Sequence, residues 1–209
     1  MTIDWLTFVP ALVLLLTPGG LFNRGKVRYR DVSRDWHGYW GRTAAHGLHT
    51  IDFARAALGT WLLLDALHGA PDPRGFAKYE VVLLQGGIRL LAVLLQTVVC
   101  RKEDSIHAPF MFVIGGLVAG LSPAVALFAI VLATTVAMGA HSPAAFFPVL
   151  AAAHLGFGVW FTGKSAVLGL TLSAAAVAVP FLWAILFRRE LIVAYRAKRH
   201  VTEHPSPLR

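Results

Sequence analysis

Charge is scarce in this chain. Only 14% of its 209 residues are charged, where soluble domains carry about a quarter. Acidic charge is scarcer still, with 11 Asp and Glu against 19 Lys and Arg, for a net charge of +8. A water-facing fold dressed in mixed charge is therefore excluded. The single cysteine, Cys100, excludes an intrachain disulfide and says nothing of redox compartment. No HExxH motif and no Cys/His finger spacing occurs, so the usual zinc signatures are missing. What is abundant is apolar sequence, since 56% of the residues are hydrophobic.

The apolar residues fall into runs at roughly 5–22, 49–67, 80–100, 109–139, 145–161 and 165–187. About 20 apolar residues cross a bilayer core as a helix. The first run has no basic n-region and is followed by "TPGGLF" rather than a cleavage site, so it reads as a retained span. The fourth run is too long for one ordinary span and contains "AGLSPA", a breaker signal. It could be one kinked helix or a tight hairpin of two short ones, the first over 109–120.

Basic residues gather in two blocks. The connection 23–45 carries Arg24, Lys26, Arg28, Arg30, Arg34 and Arg42 against Asp31 and Asp35. The tail 188–209 carries Arg188, Arg189, Arg196, Lys198, Arg199 and Arg209 against two glutamates. Both blocks border apolar runs, which speaks for membrane orientation and against nucleic acid. The positive-inside rule makes both cytoplasmic. An even number of crossings must then separate them, and a hairpin at Gly120–Pro123 supplies it. The expectation is an all-α, polytopic bundle forming one membrane domain over 1–209. It has about seven crossings, or six plus a re-entrant hairpin, in the cytoplasmic (inner) membrane. The N-terminus lies outside and the C-terminus in the cytoplasm.

Within the first basic block, Val32, Trp36, Tyr39 and Trp40 recur at helical spacing. Residues 31–44 are expected to form an interfacial amphipathic helix, with Trp36, Tyr39 and Trp40 facing lipid or a partner subunit.

Three groups of residues point to chemistry. His46 and His49 lie three apart and could share a helix face, with Asp52 the nearest further metal ligand; the alternative is that histidines simply tolerate an interface. Arg89 stands deep in an apolar run, about 13 Å from its outer end at 1.5 Å per residue. Gln85 and Gln96 share its stripe. An arginine at such depth must face protein or a water-filled cavity. With Thr60 and His154 at similar depth, the expected pocket is Thr60, Gln85, Arg89 and His154, where the planar guanidinium would take a carboxylate or phosphate. The competing expectation is that the stripe only fastens helices together. The third group is Ser122 with His154, which could act as nucleophile and base. Gly116 and Gly120 form a GxxxG pair expected to let helices pack closely.

Two families were compared on their motifs. Rhodopsins need a lysine inside the last helix, and "SAVLGLTLSAAAVAVPFLWAILF" has none. "GLSP" and "AHLG" loosely resemble rhomboid protease motifs, but Pro123 stands where a glycine is usual and the HxxxN motif is missing. No family is assigned. No cofactor is expected; a b-type haem would need two facing histidines, and only His154 sits well inside a span. The leading expectation for function is a non-enzymatic subunit or scaffold of a membrane complex, with lipids and other membrane subunits, or copies of itself, as partners. The alternatives are a small transporter or binder of an anionic solute or lipid through Arg89, and an intramembrane Ser122–His154 hydrolase.

Overall fold

The computed structural model describes residues 2–18, 28–30, 47–68, 76–100, 105–120, 122–140, 142–163, 166–192 and 195–197. Among these are seven α-helices: α1 Trp5–Leu16, α2 Gly47–Ala66, α3 Phe76–Gln96, α4 Phe110–Val118, α5 Pro123–Gly139, α6 Phe146–Thr162 and α7 Val167–Leu186. Seven strands of two or three residues close the ends: β1 Thr2–Ile3, β2 Arg28–Arg30, β3 Leu67–His68, β4 Val98–Cys100, β5 Ser105–His107, β6 Glu190–Ile192 and β7 Tyr195–Ala197.

Local chemistry sets the helix ends. Asp4 caps α1, its carboxylate accepting from the Leu6 amide at 3.0 Å. Helix α1 stops at Leu16, short of the expected end at 22, because Thr17 takes an extended conformation ahead of Pro18. The run 109–139 is two helices. Its break falls at Ala119–Ser122, where Ser122 caps α5 and Pro123 opens it. Helix α4 packs most extensively on α2, and only lightly on its neighbour α5. At nine residues it is about 14 Å long. Helix α3 ends four residues earlier than its apolar run, and 98–100 turn into strand β4.

Helix α1 also packs on α2, α3 on α7, α5 on α6, and α6 on α7. Phe110, Phe146 and Phe147 lock the starts of α4 and α6 together, with ring centroids 4.5–6.4 Å apart. Strand pairing sorts the two ends of the bundle. β1 pairs with β3, so the chain start lies beside the end of α2. At the opposite end β5 sits between β4 and β6, and β2 pairs antiparallel with β7. The first basic connection and the segment after α7 are thus joined by backbone hydrogen bonds.

The bundle is apolar on its outer faces as well as in its core, unlike a water-soluble one. His49, Asp52, Arg55, Thr60, Gln85, Arg89, Gln96, His154 and Ser173 are buried. The exposed faces carry Leu6 and Val13 on α1, Trp61 on α2, Leu83 on α3, Leu127 and Val131 on α5, Trp160 on α6, and Ile185 on α7. Leu6 is 87% exposed and Trp160 85%. Two helices, over Tyr79–Gln96 and Val167–Leu186, are long and apolar enough to cross a membrane. Helices α1, α5 and α6 are apolar but shorter. Helix α2 has the length but carries Asp52, Arg55 and Asp65. The interfacial helix expected over 31–44, with Trp36, Tyr39 and Trp40, lies outside the described residues, as does most of the tail 188–209.

Candidate functional site: a polar interior on two levels

The lower level is built around Arg55, whose importance the sequence did not reveal. One turn along α2, Asp52 receives its Nε at 2.9 Å. Its Nη2 donates to the Gln96 side-chain oxygen at 2.6 Å. Its Nη1 donates to the Thr17 carbonyl and, at 3.4 Å, to that of Leu14. Gln96 completes the set by donating to the carbonyls of Thr17 at 2.9 Å and Leu15 at 3.4 Å. The last carbonyls of α1 have no partners within their own helix, and here two side chains from α2 and α3 satisfy them. The guanidinium also lies 4.9 Å from the Phe112 ring centroid, in cation–π range. Gln96 was expected to share a stripe with Arg89; it is recruited by Arg55 instead.

The upper level surrounds a cavity of about 30 Å³. Three polar side chains line it: Thr60 from α2, Arg89 from α3 and Ser173 from α7. Phe112, Gly116 and Val177 are among its apolar walls. The structure therefore brings together Thr60 and Arg89 of the expected pocket. It adds Ser173, which the sequence reading missed. Gln85 is buried nearby and gives Arg89 its backbone carbonyl, not its side chain.

Arg89 is only 9% exposed. Among the described residues its one hydrogen bond runs from Nε to the Gln85 carbonyl at a long 3.4 Å, and no carboxylate pairs with it. Thr60 is 1% exposed, and its hydroxyl has no hydrogen-bond partner. Buried polar groups left in that state are costly. His154 is 2% exposed, and both ring nitrogens lack hydrogen-bond partners. Although expected in the same pocket, it is not among the residues lining the cavity.

Of the expected GxxxG pair, Gly116 lines this cavity where α4 meets α2. A side-chain carbon at Gly116 would sit 3.5 Å from the Thr60 hydroxyl, and one at Gly120 would sit 3.7 Å from Arg89 Nη1. The close backbone approach is made one residue earlier, at Gly115. A Cβ there would collide with the Phe53 carbonyl of α2.

The remaining candidates fall elsewhere. Ser122 accepts a long 3.5 Å hydrogen bond from the Val125 amide, and no hydrogen bond joins it to His154. A nucleophile–base pair is not assembled. His46 lies outside the described residues. His49 is buried, and Asp52 is engaged by Arg55. Among the described residues no three metal-ligating side chains cluster. No family model matches the chain, and neither the curated proteins nor the solved structures contain a similar one.

Proposed function

We propose that this chain is a multi-pass membrane protein that binds an anionic solute or lipid head at Arg89, inside its helix bundle. The observation that carries the reading is the Arg89 guanidinium. It is buried at a cavity without a counter-charge among the described residues, beside two hydroxyl-bearing side chains. A residue serving only to fasten helices would have its donors met by neighbouring helices, as Arg55 does. An arginine in a dry interior is retained at a cost, and such residues mark ligand pathways. The apolar outer faces of the bundle support the membrane setting. Orientation with the N-terminus outside and both basic blocks cytoplasmic is supported by the charge asymmetry and by the pairing of β2 with β7.

The test is Arg89→Met in the full chain, purified in mild detergent. The variant keeps length and apolar bulk while deleting charge and donors. It should fold and assemble as the parent does, and lose anions or lipids retained by the parent in native mass spectrometry. Equal retention by both proteins sinks the reading.

A second reading, a subunit of a membrane complex, draws on the exposed aromatic face of α6. There Trp160 and Phe161 flank a shallow groove over Ala153 and Gly156. A stoichiometric protein partner retained through purification would favour it.

A further inference from the structure

We infer that the ligand of the cavity is a single small monovalent anion, held by Arg89 together with the hydroxyls of Thr60 and Ser173. The inference rests on the reading of Arg89 as an anion site and narrows it by charge and by the groups that would meet the ligand. Among the described residues, Arg89 is the one cationic group lining the cavity. One negative charge is neutralised there; a dianion would leave an excess charge in a low-dielectric interior.

The hydroxyls supply the remaining contacts. Thr60 and Ser173 are both buried, and each can turn a proton toward an acceptor. Both are on the cavity wall, from α2 and α7, while Arg89 comes from α3. An anion between them would be met by three separate helices. It would also satisfy the Thr60 hydroxyl, which has no partner otherwise. Gly116 forms part of the wall beside this hydroxyl, because the space a methyl would fill there borders the Thr60 hydroxyl at 3.5 Å. That is ordinary contact, so Gly116→Ala should fold while shrinking the cavity.

The experiment is isothermal titration of the detergent-purified full chain with chloride, nitrate and phosphate, at constant ionic strength balanced by gluconate. Chloride should bind, nitrate should bind more weakly, and phosphate should not bind. Thr60→Val and Ser173→Ala should each weaken chloride about tenfold, the loss of one hydrogen bond to a charged group. Thr60→Ser should restore it, which separates a lost hydroxyl from a folding defect. Gly116→Ala should lose nitrate before chloride. Phosphate bound as tightly as chloride, or chloride affinity unchanged in both hydroxyl variants while Arg89→Met abolishes it, would overturn the inference and leave the Arg89 site standing. No anion bound by the parent chain removes the inference, and if no lipid is retained through Arg89 in native mass spectrometry the reading beneath it falls as well.

Discussion

Arg55 on the second helix holds Gln96 at the end of the third, with the guanidinium Nη2 2.6 Å from the amide oxygen. Both side chains also donate to the Thr17 carbonyl at the end of the first helix. Three helices thus meet in one hydrogen-bonded set, and Asp52 balances its charge.

Truncating this set should be among the most damaging changes in the bundle. Arg55→Ala leaves the Asp52 carboxylate without its ion pair and uncaps α1. Removing one member of a buried pair costs about 3–5 kcal/mol. Reversible unfolding in mixed micelles should show that loss. Asp52→Leu combined with Arg55→Met should be clearly milder than Arg55→Ala alone. Equal stability of Arg55→Ala and the parent would show that the set contributes nothing.

Gly115 and Gly87 make a matched pair. At Gly115 an added methyl runs into the backbone of α2, and backbone cannot swing aside. Gly115→Ala should cost about 1–3 kcal/mol, in the range of overpacked cores. At Gly87 nothing lies within 4 Å of the added carbon, so Gly87→Ala should stabilise by roughly 0.5–1 kcal/mol through helix propensity. The same unfolding assay reads both, and a reversed order would contradict the α2–α4 packing.

Anion binding should tighten as pH falls. Helices α5 and α7, which flank α6, contain no ionisable side chain, and Arg89 on α3 is the cation of the proposed site. A proton on His154 adds positive charge near the anion. By linkage, the anion favours that proton in return. Chloride affinity measured across the acidic range should rise in the parent chain and stay flat in His154→Asn. An identical pH profile in the two proteins would remove His154 from the site.

The outer faces should contact acyl chains. Reconstituted in brominated lipid, a variant keeping Trp160 as its sole tryptophan should be strongly quenched, given its exposure on α6. A reporter fused after Arg209 should read cytoplasmic and one fused before Trp5 external. An external C-terminal reporter would reverse the proposed orientation.

The positions of all seven helices were legible, because apolar runs and the Gly-Leu-Ser-Pro break leave plain marks. Their ends were not. Thr17 and Pro18 stop α1 early, and the run ending at Cys100 continues past its helix as a strand, since apolar composition does not separate helix from strand. Within the site, depth alone put Thr60 and Arg89 together. It could not tell which helix Gln96 faces, because a stripe on one helix meets two neighbours. Arg55 was missed, although its i, i+3 spacing from Asp52 was the available signal. Ser173 gave none, as a lone serine in an apolar helix most often bonds its own backbone.

The pairing of β2 with β7 has a consequence for the order of events during synthesis. One partner precedes the second helix in the chain and the other follows the seventh. At typical translation rates the early strand waits on the order of ten seconds or longer. Strand β5 waits likewise for β6. The end of the bundle that bears the basic segments is therefore sealed only after the final helix has taken its place. A chain interrupted anywhere before residue 190 would leave those edges unpaired and available to quality-control proteases, whatever the state of its helices.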